Sequence, residues 1–70
     1  MNVLLNGERR ELPAGATVKS AVEASGAPDA PRGRGLAVAV DGEVVPRGRW
    51  DSTTLGEGQR VEVVQAVQGG

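Results

Sequence analysis

A short stretch around residue 20 is the one part of the sequence whose apolar spacing predicts a helix. Val18, Ala21 and Val22 stand at positions i, i+3 and i+4, which places them on one helical face. Thr17 has the side chain of an N-cap residue, and Gly26 is the expected stop signal. Because one short helix can cover only one face of a single sheet, the 70 residues are restricted to one small domain in which strands form the rest.

Strands are predicted on both sides of this helix, and two pairs of them are joined by hairpin turns. Asn6-Gly7 and Asp41-Gly42 are residue pairs that favour a two-residue type I′ turn, because both positions accept a positive φ. A continuous apolar run at residues 36–40 predicts a strand that is covered on both faces. The predicted strands are residues 1–5, 8–12, 36–40, 43–45 and 60–67.

The connections between these elements complete the predicted fold. Residues 27–35 are rich in proline and glycine and are predicted to form a loop, residues 47–54 are predicted to be irregular, and Leu55 is a predicted core anchor. A right-handed crossover through the helix places the last strand parallel to the first, at the centre of one mixed sheet. This α+β arrangement is a β-grasp, the ubiquitin-like fold. We expect a β-grasp domain over residues 1–67 and a C-terminal tail at residues 68–70.

The composition argues against several classes of function. The chain has no cysteine, no histidine, a net charge of −1 and one aromatic residue. The usual acid–base, nucleophilic and metal-binding side chains are therefore missing, and we expect neither catalysis nor a bound metal. A nucleic-acid site would need a basic face and stacking aromatics. No apolar run approaches the roughly 20 residues that span a bilayer, and the N-terminus does not resemble a signal peptide, so we expect a soluble cytoplasmic protein without membrane contact.

The candidate functional site is the tail formed by Gln68, Gly69 and Gly70. An α-carboxyl group has a pKa of about 3.3–3.7, so at neutral pH it is the ionised nucleophile that attack on the α-phosphate of ATP requires. Glycine lacks a Cβ atom, so Gly69 and Gly70 could enter a narrow channel in a partner. Five extended residues, 66–70, reach about 17 Å, enough to enter a buried active site while the body stays outside.

Several segments together resemble one known family along almost the whole chain. They are residues 3–8 at the first hairpin, Thr17-Val18 at the helix start, residues 36–42, Val44-Val45-Pro46-Arg47 followed by Trp50, residues 55–58 leading into 61–64, and Gly69-Gly70. The segment from Val44 to Trp50 and the Gly-Gly end are the more specific parts. In these features the chain resembles the ThiS family, the ubiquitin-like sulfur carriers of thiamine biosynthesis.

This resemblance implies a carrier function and a set of partners. An E1-like adenylating enzyme would use ATP and Mg²⁺ to convert the Gly70 carboxylate to an acyl-adenylate. A cysteine desulfurase relay would supply the sulfur that displaces AMP and leaves a thiocarboxylate, and thiazole synthase would then take up that sulfur. In this scheme Gly70 is the covalent carrier, Gly69 and Gln68 enter the partner's active site, and the chain binds no cofactor of its own.

Three other functions fit parts of the sequence. The small subunit of molybdopterin synthase has the same fold, tail and thiocarboxylate, although that family is usually longer and carries phenylalanine, which this chain lacks. A ubiquitin-like modifier would join Gly70 to a lysine of another protein. A plain β-grasp interaction module would not use the tail.

Trp50 and Arg47 are candidates for the partner interface. Tryptophan is enriched at interface hot spots, and Arg47 could pair with an acidic group on the adenylating enzyme. The alternatives are that Trp50 caps a thin core and that Arg47 is a solvated surface charge.

Overall fold

The computed structural model describes residues 1–27 and 35–65, which form one mixed sheet and one α-helix. The strand order is β2-β1-β5-β3-β4, with β1 and β5 parallel and the other neighbours antiparallel. This is the predicted β-grasp, with the last strand beside the first at the centre. The elements are β1 (Asn2–Leu5), β2 (Glu8–Glu11), α1 (Val18–Ala24), β3 (Leu36–Val40), β4 (Glu43–Val45), a 3₁₀-helix (Arg47–Arg49) and β5 (Arg60–Gln65).

Helix α1 begins at a complete capping box. The Thr17 hydroxyl accepts a hydrogen bond from the Ser20 backbone N–H at 3.4 Å, and the Ser20 hydroxyl accepts one from the Thr17 N–H at 3.2 Å. This arrangement satisfies two backbone donors near the start of the helix. Val18, Ala21 and Val22 are fully buried, as their spacing predicts.

Both predicted hairpin turns are present. Asn6 and Gly7 have φ values of 51° and 82°, and Asp41 and Gly42 have φ values of 50° and 86°. Two successive positive φ values are the signature of the type I′ turn. The turns connect β1 to β2, with Leu5 opposite Glu8, and β3 to β4, with Val40 opposite Glu43.

The core lies between the helix and one face of the sheet. Among the described residues, no charged or polar side chain is buried. Leu55 is buried there, which confirms it as a core anchor. The buried residues are Val3, Leu5, Leu12, Ala16, Val18, Ala21, Val22, Val38, Trp50, Leu55 and Val61.

The structure corrects the prediction that β3 is covered on both faces. Leu36, Val38 and Val40 point towards the core and are buried or half-buried, whereas Ala37 is exposed on the opposite face. The single helix lies on one side of the sheet, so nothing in the described part of the chain covers the other side. The apolar run correctly predicts a strand, but the prediction that its second face is also covered is wrong.

The segment predicted to be irregular at residues 47–54 contains the 3₁₀-helix. The Arg49 N–H donates to the Pro46 carbonyl oxygen at 2.8 Å, and the Trp50 N–H donates to the Arg47 carbonyl oxygen at 3.1 Å. The 3₁₀-helix reverses the chain after β4, and this reversal places the Trp50 side chain in the core, where it is buried. Beyond it, the Thr53 carbonyl oxygen accepts from the Val18 N–H at 2.9 Å and joins this segment to the start of α1.

Two predictions lie wholly or partly outside the described residues. They are the loop at residues 27–35, of which residues 28–34 are not described, and the end of the last strand with the tail at residues 66–70. In the two described ranges, no helix has the length and apolar character needed to cross a membrane.

Candidate functional site

The candidate site is the C-terminal tail, and β5 is the central strand that leads into it. Gln68, Gly69 and Gly70 themselves lie outside the described residues, so the structure gives the base from which the tail starts. Along β5, β3 pairs from Val61 to Gln65, whereas the register with β1 covers only Arg60 and Val61. The base of the tail therefore belongs to the most internal strand of the sheet.

The first hairpin turn holds the middle of β5. The Asn6 N–H donates to the Val61 carbonyl oxygen at 2.9 Å, and the Asn6 side-chain oxygen accepts from the Val63 N–H at 2.8 Å. This side chain extends the β1–β5 pairing by one step after the β1 backbone has turned away. Past Val63, β3 is the one neighbour of β5 in the described part of the sheet.

The second hairpin turn holds the start of β5. The Asp41 carboxylate accepts from the Arg60 N–H at 3.0 Å and from the Gln59 side-chain amide at 3.1 Å. The Asp41 N–H in turn donates to the Arg60 carbonyl oxygen at 2.8 Å. The hydrogen bond from the Arg60 backbone, followed by that from Gln59 and the nearby Arg60 charge, lowers the pKa of the Asp41 carboxyl below its ordinary value.

The side-chain contacts of Asn6 and Asp41, which hold the strand that leads into the tail, were not predicted from the sequence. Both residues were recognised as turn formers, which depends on the backbone alone. The signal that could have pointed further is the residue type: asparagine and aspartate carry a short acceptor that can bond to nearby backbone N–H groups. Glycine at either position would make the turn and keep the backbone hydrogen bond to β5, but it would lose the side-chain contact.

A groove of about 330 Å³ lies on the sheet beside the turn that precedes β5. Its lining residues are Asn2, Val3, Leu4, Arg9, Glu57 and Gly58. The Glu57 carboxylate accepts from the Asn2 N–H at 3.0 Å, and the Gly58 N–H donates to the Asn2 carbonyl oxygen at 2.7 Å. The Glu57 carboxylate and the backbone groups of Asn2 and Gly58 thus attach the turn to β1. In the described ranges, no three His, Cys, Asp or Glu side chains are grouped as a metal ion would require.

The two predicted interface residues differ in their environment. Trp50 is only 5% exposed, and its indole N–H donates to the Val45 carbonyl oxygen at 2.9 Å. This geometry agrees with the alternative that Trp50 caps the core, because a side chain buried to this extent offers almost no surface to a partner. Arg47 is exposed at the start of the 3₁₀-helix, where a partner could reach it, and its interface role stays a prediction.

Comparisons with known proteins agree with the fold and extend to the tail. Residues 3–70 match the family model of the ThiS family. The chain is similar to the crystal structure of the thiamine biosynthesis protein ThiS from Geobacter metallireducens, with a TM-score of 0.79, 28% sequence identity and 100% of both chains covered. It is also similar to the solution structure of a thiamine biosynthesis protein from the same organism, with a TM-score of 0.74, 26% identity, and 100% of this chain and 88% of the other covered.

A search of curated proteins finds no significant match. The family match spans almost the whole chain, and the similarity to the crystal structure covers all of both chains. The chain therefore belongs to the ThiS family.

Proposed function

We propose that the chain is a sulfur carrier that delivers sulfur from its C-terminus to thiazole formation in thiamine biosynthesis. The observation that carries this proposal is the family match, which runs from residue 3 through Gly70 and so includes the Gly-Gly end. The position of β5 supports it, because the strand that leads into the tail is held on a rigid base by Asn6 and Asp41. The thiamine biosynthesis role of both similar structures favours thiazole as the destination.

The proposed chemistry begins with activation of the Gly70 carboxylate. A carboxylate oxygen attacks the α-phosphorus of ATP, pyrophosphate leaves, and an acyl-adenylate remains. The terminal sulfur of a persulfide on a cysteine desulfurase relay then attacks the acyl carbon, and AMP leaves with the electron pair of the broken bond. A thiol cleaves the S–S bond of the resulting acyl disulfide, forms a disulfide with the relay sulfur and releases the carrier. The product is a C-terminal thiocarboxylate, whose sulfur passes to thiazole synthase.

In this scheme the chain is a co-substrate, and an E1-like enzyme with Mg²⁺ and ATP performs the activation. The absence of histidine and cysteine from the sequence supports this division of roles, because the chain lacks the usual general bases and thiol nucleophiles. The chain itself contributes the terminal carboxylate, two glycines that can enter a narrow channel, and a folded domain that partners can bind.

The proposal is tested by charging the purified chain. The protein is incubated with its cognate adenylating enzyme, Mg²⁺, ATP and a sulfide source, and its intact mass is measured. We expect a product in which one oxygen is replaced by sulfur, and no such product when ATP is omitted or Gly70 is deleted. A full-length chain that never gains sulfur would rule out the carrier function, and a ladder of protein conjugates would identify a modifier instead.

The sulfur acceptor requires a separate genetic test. Loss of the gene should produce a growth defect that added thiazole relieves. A loss of molybdenum-enzyme activity, unrelieved by thiazole, would assign the carrier to molybdopterin synthesis. Both results can be read in one strain, so the two acceptors are distinguished directly.

A further inference from the structure

Lys19 is the only lysine in the chain, although eight residues carry a positively charged side chain. The other seven are arginines, whose guanidinium group stays protonated and does not act as a nucleophile at neutral pH. The sequence has no cysteine and no histidine, and serine or threonine hydroxyls need an adjacent base before they attack. The Lys19 amine and the α-amino group are therefore the chain's only ready acceptors for an activated acyl group.

The α-amino group is already used by the fold. It donates a hydrogen bond from Met1 to the Leu12 carbonyl oxygen at 2.8 Å, in a partly buried position that continues the β1–β2 pairing. The Met1 carbonyl oxygen in turn accepts from the Leu12 N–H at 2.8 Å. An amine that donates into a sheet in this way must break its contact before it can attack. Lys19 is thus the acceptor that the structure presents to solvent.

The Lys19 amine stands at the surface on a fixed stretch of main chain. The side chain is 47% exposed, and its Nζ lies 3.7 Å from a carboxylate oxygen of Asp51, a side chain that is 77% exposed. The Lys19 backbone N–H donates to the Trp50 carbonyl oxygen at 3.2 Å. An exposed ion pair of this kind contributes little free energy, so it orients the amine without blocking it.

The amine and the tail lie towards opposite ends of the sheet. The Leu55 N–H donates to the Ala16 carbonyl oxygen at 2.9 Å, which places the start of α1 beside the segment that enters β5 at Arg60. The tail leaves from the other end of β5, about 17 Å further along the strand. To reach Lys19 of its own chain, the five tail residues would have to double back fully extended along that strand. The amine of a second copy can approach without this reversal.

Activation would turn the tail into an acyl donor. In the proposed carrier function, the Gly70 carboxylate becomes an acyl-adenylate, which a persulfide then consumes. An enzyme that admits a persulfide to the acyl carbon must leave a path to it, and Gly69 and Gly70 have no Cβ atoms to obstruct another nucleophile. When sulfur is lacking, the acyl-adenylate persists, and an exposed amine is the next acceptor by reactivity.

We propose that Lys19 is a self-modification site, at which the activated Gly70 of one copy forms an isopeptide bond with a second copy when no sulfur is supplied. The unprotonated Lys19 Nζ attacks the acyl carbon, the bond from that carbon to the adenylate oxygen breaks, and AMP leaves with its electron pair. The nitrogen then gives its extra proton to water. This inference rests on the proposed carrier function, because that function supplies the acyl-adenylate. Since each copy has one donor and one acceptor, repeated reaction gives unbranched head-to-tail chains.

Incubation without sulfur tests the proposal. The full-length protein is incubated with its cognate adenylating enzyme, Mg²⁺ and ATP, with and without a sulfide source, and the products are analysed by denaturing gel electrophoresis and intact mass. Without sulfide, we expect a species of twice the carrier mass less one water, followed by longer chains of the carrier alone. With sulfide, the thiocarboxylate should form in their place.

Lys19→Arg is the matched variant, because it keeps the charge beside Asp51 and removes the nucleophile. Its sulfur loading should equal that of wild type, while its conjugates should be lost completely. Trypsin digestion of the wild-type conjugate should release a branched peptide in which residues 61–70 are attached to Lys19. Conjugates that persist in Lys19→Arg, or a branch at Met1, would overturn the assignment to Lys19.

Two readouts separate this inference from the proposed function. Exchange of labelled pyrophosphate into ATP in the presence of the carrier reports activation, and the mass gain with sulfide reports loading. A wild type that shows neither would overturn the proposed function. A wild type that shows both, but forms no conjugate when sulfide is omitted or acylates only lysines of the enzyme, would overturn the self-modification alone.

Discussion

Trp50 is the residue on which the packing of the second half of the chain depends. Its indole lies in the core and donates to the Val45 carbonyl oxygen, and its own backbone carbonyl oxygen accepts from the Lys19 N–H at 3.2 Å. One residue thus connects the end of β4, the 3₁₀-helix and the first turn of α1. The sequence contains no other aromatic residue, so no second large side chain can take this place.

Replacing Trp50 with phenylalanine should lower the free energy of unfolding by about 1–3 kcal/mol, because it leaves a void and removes the partner of the Val45 carbonyl oxygen. Urea unfolding followed by far-ultraviolet circular dichroism measures the change. If Trp50→Phe were as stable as wild type, the indole would be a surface group, and its assignment to the core would be wrong.

Asp41 should make stability depend on pH in the acid range. Its pKa is lowered in the folded state, so its charged form stabilises the fold above the ordinary pKa of the carboxyl, and this contribution is lost as the pH falls through the lower folded value. Asp41→Asn keeps a residue suited to positive φ but removes the charge. We expect the variant to be less stable than wild type at pH 7, with the difference shrinking towards pH 2 in urea unfolding experiments; a constant difference would contradict this account.

At the scale of the elements, the structure follows local signals closely and departs from prediction where distant contacts decide. The Asn6-Gly7 turn and the Thr17 cap were predictable, because a few adjacent residues determine the backbone there. The 3₁₀-helix was not, since it forms when Trp50 is buried by residues far away in sequence. The exposure of the second face of β3 was not predicted for the same reason, because an apolar run does not show which residues pack against each face of the strand.

The contact between Asn6 and β5 can be tested by a pair of substitutions. Asn6→Gly keeps the positive φ at no steric cost but removes the acceptor of the Val63 N–H, whereas Asn6→Asp keeps an acceptor oxygen. We expect Asn6→Gly to lose about 1 kcal/mol of unfolding free energy, the net value of one hydrogen bond, and to exchange the Val63 amide hydrogen faster. Asn6→Asp should protect that amide as wild type does, and equal exchange in all three proteins would contradict the contact.

At the scale of the whole molecule, the parts that hold the fold together are separate in sequence from the predicted reactive end. Every buried core residue of the described ranges lies between Val3 and Val61, while the candidate site is at residues 68–70. The proposed tail chemistry depends on a carboxylate and two glycines, which can be read from the sequence alone. The side-chain contacts of Asn6 and Asp41 with β5 could not be predicted in this way, because they join residues that are distant in sequence and meet only when the sheet has formed.

This separation predicts that stability and charging respond to different changes. Deleting Gly69 and Gly70 should leave the urea midpoint and the unfolding free energy unchanged, because it removes no core contact of the described residues, yet it should abolish sulfur loading. Gly70→Ala is the informative companion, since it keeps the length and the terminal carboxylate and adds one methyl group.

If the adenylating enzyme encloses the tail in a narrow channel, Gly70→Ala should charge far more slowly than wild type while remaining equally stable, because the added Cβ restricts the backbone and occupies space beside the reacting carbon. Full charging of Gly70→Ala would show that the glycine serves no steric purpose. Marked destabilisation by the deletion would show that the tail packs on the body, and would contradict the division of the chain into a folded base and a reactive end.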